Sequence, residues 1–534
     1  MSTTKKPSRS LAGIAGIVAA ATIISKLFGF LREMAIAAAF GVGPVVNAYS
    51  YANLIPNFFF ILLGGINGPF HSALVSVLSK RDKSQAATIV ETVSTLVSGI
   101  LLLLTIILVW KASFFIHIVG INLSSEQSSI ATLQLRIMAP LALLSGLIGI
   151  GFGTLNASDS YWLPSISPLF SSLAIVGSVG LLFWQLGEQI NAPQYIQLGA
   201  IFLAGGTLLG AILQWLAQVI AQWRSGLAKL RLRFDWRVSG VKEVLRVMIP
   251  ATFSSGMLHI NLSTDLIFVS GIATAAAAIR YANFIVITPI GIISNVIFVS
   301  MLPVFSRLAA PENWQELKMR IRQGLILSAL TMLPLMAIFI SLGFPIVRVI
   351  YDRGVFEEAG VEAVAPVLMA YGLGMFFYLG RDLLVRVFYG LGDADTPFRI
   401  SIANIVLNIV LDYFLVKAFA TPGIVFATIG VNITSMSLML WILNRRLHGL
   451  PLREWGLAIF GLTGASLLAG LASWGVSLGW ENFIGNSNFL FQLLQLSLSI
   501  SVALIIFASL ALLLKLPEVD ILVSRLKQKF VKNP

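Results

Sequence analysis

The side chains with chemistry to offer are few, and most stand in apolar surroundings. Lys26, Arg32 and Glu33 fall inside one long apolar run, Arg136 near the start of another, Arg280 early in a third, and Arg381, Asp382 and Arg386 within a fourth. An ionisable group in such a run costs about 2.5–3.5 kcal/mol on insertion scales, so it faces a cavity or a partner. Cations from both halves of the chain suit a hydrated cavity that takes a phosphorylated or otherwise anionic substrate. The alternative is snorkelling, or pairing of Arg32 with Glu33 and of Arg381 with Asp382. Lys26 and Arg32 are six residues apart, which is one helical face only if the helix bends near Gly29. A second set is oxygen-rich: Asp265, preceded by Asn261; Asn408 and Asp412, four apart and so on one helix face; and Thr428. Hard oxygen ligands of this kind suit Na⁺, an Asp alone suits a proton, and a structural polar cluster tying three helices together is the third reading. Asp393 and Asp395 are a close carboxylate pair in a connection, where Thr396-Pro397 reads as a helix start, so a cap is expected there. There is no cysteine, and His71, His117, His259 and His448 lack metal-ligand spacing.

The elements that position these groups follow from composition. Of 534 residues, 57% are hydrophobic and 11% charged, and the mean hydropathy is +0.89. A soluble domain carries about 25% charged residues, so a soluble multidomain enzyme is excluded, as is disorder. The apolar runs are too long, and alternate too little, for a barrel. The expectation is an all-α polytopic membrane protein with fourteen spans, near 12–40, 45–79, 87–110, 130–155, 163–186, 197–222, 243–268, 273–306, 323–346, 362–390, 397–418, 422–443, 455–478 and 489–514. Gly29, Pro56, Gly64, Gly65, Pro140, Pro289 and Gly291 are kink candidates. The net charge of +13 is read by placement, with no nucleic-acid partner implied. Lys and Arg gather at alternate ends (Lys5 to Arg9, Lys80 to Lys83, Arg224 to Arg237, Arg307 to Arg322, Arg445 to Arg453, Lys515 to Lys532), while the opposite ends hold Lys111, Arg348, Arg353 and Lys417. The alternation stays in phase over fourteen spans and puts both termini in the cytoplasm. A cleaved signal peptide is disfavoured because apolar sequence continues to Ala39. The segment Leu230–Arg237 (LRLRFDWR) reads as an interfacial connector, with Trp and Phe in the headgroups and Arg against anionic lipid.

The chain repeats itself. Tyr51-Ala52-Asn53 returns as Tyr281-Ala282-Asn283, Val77-Leu78-Ser79-Lys80 as Val304-Phe305-Ser306-Arg307, and Asp159 with Pro164 as Asp393 with Pro397, at offsets of 227 to 234 residues. Six spans separate each pair. Two like-oriented lobes are therefore expected, with a central cavity exposed alternately by rocking. The expected divisions are a tail 1–11, an N-lobe 12–222, a connector 223–242, a C-lobe 243–443, a terminal helix pair 455–514 and a basic tail 515–534.

At Ser25–Glu33 (SKLFGFLRE), Phe40–Asn57, Asn67–Phe70, Asn261–Ser270, Tyr351–Phe356 (YDRGVF) and Arg386–Pro397 the sequence resembles the MurJ/MviN lipid II flippases of the multidrug/oligosaccharidyl-lipid/polysaccharide exporter superfamily. The resemblance covers nearly the whole chain. It implies a transporter, not an enzyme, that flips undecaprenyl-pyrophosphate-linked peptidoglycan precursor from the inner to the outer leaflet of a bacterial cytoplasmic membrane by alternating access. It implies substrate contacts at Ser25, Lys26 and Arg32, with Arg280 and Arg386 as further cavity cations. It implies a Na⁺ site on Asp265, Asn408, Asp412 and Thr428, with Ile424 as a carbonyl ligand, membrane potential or H⁺ being the alternative coupling. The last two helices would groove the polyprenyl tail. The implied partners are lipid II, membrane lipids and peptidoglycan-synthesis proteins. The sequence departs from the family at Asn47, where Asp is usual; at Phe58 to Phe60, where an Arg often follows; and at Asn283 and Phe284, where Asp and Arg are usual, with Arg280 one turn earlier as a substitute. The competing expectations are an exporter of another lipid-linked oligosaccharide, a cation-coupled multidrug antiporter, and a non-transporting cell-wall scaffold. A basic cavity weighs against the antiporter. A polyprenyl-phosphate enzyme would need Asp-rich metal motifs or a His/Asp/Ser set near one interface.

Overall fold

The computed structural model describes residues 11–63, 69–227, 231–235, 237–257, 260–298, 301–485 and 488–520. Gly64, Gly65, Asn67, Leu230, Trp236, His259 and the basic residues of both tails (Lys5 to Arg9, Arg525 to Lys532) lie outside them. Among the described residues every regular element is a helix. In chain order these are α1 (Leu11–Phe40), α2 (Pro44–Leu63), α3 (Pro69–Leu78), α4 (Lys83–Trp110), α5 (Ala112–Val119), α6 (Ser125–Met138), α7 (Leu141–Asn156), α8 (Trp162–Ile166), α9 (Pro168–Leu186) and α10 (Ile196–Arg224). There follow α11 (Ser239–Met257), α12 (Ile260–Phe268), α13 (Ala275–Phe298), α14 (Met301–Arg307), α15 (Trp314–Ser341), α16 (Gly343–Tyr351), α17 (Glu357–Gly390), α18 (Asp395–Phe419), α19 (Thr421–Arg446), α20 (Leu452–Phe483) and α21 (Phe489–Leu513).

Eleven of the described helical segments are long and apolar enough to cross a membrane. The other three expected spans coincide with α1, α2–α3 and α11–α12, which are helical but not among the eleven. In lipid a helix satisfies its own backbone, so apolar side chains can face outward at no cost. They do so along α4 (Ile100, Leu103, Trp110) and α20 (Leu457, Phe460, Leu471). Local chemistry sets the breaks. Pro140 separates α6 from α7, whereas Pro56 and Pro289 sit inside continuous helices. Ser124 caps α6 by accepting from the Gln127 N–H at 3.2 Å, and Asn488 caps α21 through Phe491 at 3.1 Å. The expected ninth span is divided at Leu342, between α15 and α16.

The chain divides into two compact units. The first runs to Ala277 and includes Arg353–Glu357; the second holds Ala278–Asp352 and the residues from Glu358 onward. In the first, α9 packs on α1 and α10, α2 on α6, α7 on α3, α4 and α10, and α11 on α3. In the second, α15 packs on α20, α20 on α21 and α18 on α19. The repeat read from the sequence puts α11 and α12 in the expected C-lobe; packing places them in the first unit, with α12 against α5.

Two loop contacts in the first unit echo the repeat. The Asn122 N–H donates to Ser270 Oγ at 3.2 Å, just past α12, and the Val355 N–H donates to the Ala38 carbonyl at 2.9 Å near the end of α1. Gly354 makes the second possible: its φ is +60°, and a Cβ there would run into the Ala38 carbonyl.

Candidate functional site

The cations of α1 do not form one stripe. The helix is continuous through Gly29, so the six residues between Lys26 and Arg32 leave them about 120° apart around the axis. Lys26 is exposed and Ser25 half-buried. Arg32 pairs with its neighbour: Nη2 donates to Glu33 Oε1 at 2.8 Å and Nε at 3.1 Å, with Glu33 only 2% exposed. A buried carboxylate needs such a partner. Arg32 therefore has a structural duty alongside any substrate contact.

Arg280 is half-buried near the start of α13. Arg386 is on α17, where its Nη2 meets Asp382 Oδ2 at 3.2 Å, and Ser294 Oγ of α13 reaches the same carboxylate oxygen at 3.5 Å. Since Ser294 is fourteen residues beyond Arg280, the level of Asp382 is about 20 Å along α13 from Arg280. Arg280 and Arg386 are therefore not brought together. The pairing of Asp382 is with Arg386 at i+4, not with its neighbour Arg381 as the sequence suggested, because four residues return a helix to the same face.

Of the oxygen-rich set, Asn408 and Asp412 are in contact. Past its first two turns, α18 buries only Asn404, Asn408 and Asp412, a stripe with four-residue spacing on an otherwise exposed helix. Asp412 is 0% exposed, and Asn408 Nδ2 donates to its Oδ2 at 2.7 Å. On the adjacent α19, Ile424 is buried and Thr428 half-buried, and the Thr428 carbonyl accepts from Asn432 Nδ2 at 2.9 Å. Carboxylate, amide, hydroxyl and backbone carbonyl oxygens on two packed helices form a donor set that fits a hard monovalent cation. Asp265 is half-buried on α12 in the other unit. Sequence reasoning passed over Asn404 and Asn432, although each stands four residues from a named member and could have been found that way.

Asn47, noted only as a departure, proves to be a structural hub. It is 0% exposed. Its Oδ1 accepts the N–H groups of Ala276 and Ala277 at 3.1 and 3.3 Å, in the first turn of α13. Its Nδ2 donates to Gln127 Oε1 at 3.1 Å, and Gln127 Nε2 donates on to the Ala273 carbonyl at 3.2 Å. The free donors of a helix N-terminus are thus satisfied from a distant segment. The expected cap before α18 is present as well. Asp393 accepts from the Thr396 N–H at 3.0 Å and its hydroxyl at 2.8 Å, and pairs with Arg446 at the end of α19 at 2.8 Å. Burial alone would raise the Asp393 carboxyl, but these three donors outweigh it and hold it below the usual carboxylate range.

Comparison with known proteins agrees with this architecture. A sequence-family model described as "Lipid II flippase MurJ" matches residues 36–494. A "Probable lipid II flippase MurJ" of Synechocystis sp. is 59% identical over 530 residues, covering 99% of each chain. The "Lipid II flippase MurJ" of Burkholderia cenocepacia is 27% identical over 468 residues, 85% of this chain and 88% of that one. Among solved structures, a lipid II flippase MurJ in an inward closed conformation superposes with a TM-score of 0.72 at 22% identity, covering 92% of this chain and 97% of the other. An inward-facing multidrug resistance MATE transporter of the MOP superfamily gives 0.63 at 16% identity, covering 81% and 98%.

Proposed function

Because the chain belongs to the MurJ family of lipid II flippases, we propose that it is a transporter that moves undecaprenyl-pyrophosphate-linked peptidoglycan precursor from the inner to the outer leaflet of a bacterial cytoplasmic membrane, for cell-wall synthesis. The observation that carries this reading is the 59% identity over essentially the full length of a relative named for that activity. An all-helical architecture among the described residues, with eleven helices there fit to cross a membrane, is what such a task needs. Fourteen spans with both termini in the cytoplasm is the arrangement that keeps the basic connections on one side.

In this reading Lys26, Arg32 and Arg280 engage the pyrophosphate, with Ser25 as a hydroxyl donor beside them and Arg386 serving the cytoplasmic end of the path. The sugar-peptide headgroup crosses in water while the polyprenyl tail stays in lipid against α20 and α21. Na⁺, held by the side-chain oxygens of Asp265, Asn408, Asp412 and Thr428 and the Ile424 carbonyl, would supply the coupling charge. The chain's own part at that position is to orient the Asp412 carboxyl, which the Asn408 amide does by donating to it. A charge moved through 100 mV contributes about 2.3 kcal/mol to the bias between states. Depletion of the protein in cells tests the reading. Lipid II should accumulate on the cytoplasmic side, and an unchanged distribution across the membrane would refute it.

A further inference from the structure

Within the first unit, α4, α7 and α10 enclose a cavity of about 240 Å³ unrelated to the cation and oxygen sets above. One face of α4 contributes Glu91, Ser94, Thr95 and Ser98, at the spacing of successive helical turns; Gln222 of α10 and Arg231 of the following connector complete its polar lining. The rest of the lining is apolar (Leu147, Ile150, Trp215, Val219 and Leu232), so the space suits an amphipathic occupant whose polar end meets these groups. At about 30 Å³ per water the space holds roughly eight waters, ample for a phosphate ester.

The connector explains which ligand. Residues 231–235 lie across the cavity, held by the Arg233 N–H donating to Thr95 Oγ1 at 3.1 Å and by the Arg233 guanidinium 3.7 Å from Glu91. Arg233 thus neutralises the buried carboxylate, and Arg231 brings a second positive charge to the lining. Between and beside them Leu232 and Phe234 are 85% and 67% exposed. Exposed apolar side chains alternating with arginines are the pattern of a segment lying at a lipid–water boundary, and Arg231 and Leu232 both border the cavity. This end also carries Arg81, Lys83 and Arg224, the last residue of α10. Gln222 is two residues from that helix end, so the cavity lies towards the basic end of α10.

We propose that this cavity binds the phosphate headgroup of an anionic glycerophospholipid from the adjoining leaflet. Arg231 acts as its counter-charge, the Ser94 and Ser98 hydroxyls as donors, and the Arg233–Glu91 pair, with Thr95 between them, as the latch that holds the connector over it. The cavity shares no lining residue with the cation and oxygen sets, and the proposal stands whether or not the transport reading holds.

The test uses the purified full chain in detergent, with bound lipid counted by native mass spectrometry. Phosphatidylglycerol and phosphatidylcholine of identical acyl chains are titrated against wild type, Arg231→Gln and Ser98→Leu. Wild type should hold one phosphatidylglycerol in preference to phosphatidylcholine. Arg231→Gln, on an exposed residue, should weaken that binding about fivefold, the worth of one basic side chain near a membrane surface. Ser98→Leu should abolish it by filling the cavity, with a melting curve checking that this variant folds. Phosphatidylglycerol bound equally by wild type and Arg231→Gln would overturn the proposal, as would equal binding of the two lipids by wild type. Displacement of the lipid by millimolar inorganic phosphate would replace the lipid with a free anion as the occupant, and so would overturn it too.

Discussion

Replacing Asn47 with Ala should destabilise the first unit far more than a surface substitution would. Three polar groups lose their partner: the N–H groups of Ala276 and Ala277, and Gln127 Oε1. Each unsatisfied buried group costs about 1–3 kcal/mol. Water entering the vacated space recovers part of that, so the net loss should be about 2–5 kcal/mol. At an unfolding entropy of about 2 cal/mol/K per residue, a chain of this length should melt roughly 2–5 °C lower. Asn47→Asp separates the cap from the side chain's other contacts. A carboxylate accepts both N–H groups and is favoured at a helix N-terminus. Gln127 must then turn its amide towards it and give up the Ala273 carbonyl. That variant should melt within about 1 °C of wild type. The assay is thermal unfolding in one detergent, followed by tryptophan fluorescence. An Ala variant that melts with wild type, or an Asp variant that falls as far as Ala, would refute the capping argument.

Other outcomes follow from the same geometry. Arg32→Ala should abolish precursor translocation and also lower the melting temperature, because it removes an ion-pair partner of the buried Glu33; Arg32→Lys should restore the melting temperature, and flux at the wild-type rate in Arg32→Ala would contradict its role. Gly354→Ala should cost about 1–3 kcal/mol through its positive φ and the Ala38 carbonyl, read as a lower melting temperature. Asp393 is held below its unfolded value, so its contribution to stability is present above the ordinary carboxylate range and is lost as pH falls through its depressed pKa. The melting difference between wild type and Asp393→Asn should therefore be full at pH 6 and shrink on acidification below about pH 4; a difference that grows on acidification would reverse the assignment.

The helical class and the sites of intramembrane charge were legible because hydropathy over twenty residues is a local property. The Asn408–Asp412 contact was legible for the same reason, since four residues return to one face. Arg386 shows the limit of that reasoning: its distance from Arg280 depends on how α13 and α17 align, which no spacing within either helix reveals. Asn47 marks a second limit. Its partners are some 80 and 230 residues away in sequence, so the substitution looked like a lost acid when it is a helix cap. The packing of α12 with α5 is likewise hidden, because a sequence repeat does not say which helices touch. Phe234 of the connector was expected at an interface and is exposed, but the cavity beside the connector is made by α4, α7 and α10, and the polar residues that α4 and α10 give it look incidental when each helix is read alone.

The central claim is that this chain itself carries lipid II across a bilayer. Purified protein reconstituted into vesicles with labelled lipid II, with outer-leaflet label destroyed by an impermeant reagent, measures that directly. Wild-type vesicles should lose all of the label, faster with a Na⁺ gradient, while Asp412→Asn vesicles should be slower and indifferent to Na⁺. Retention of the inner half of the label at the rate of protein-free vesicles would contradict the account.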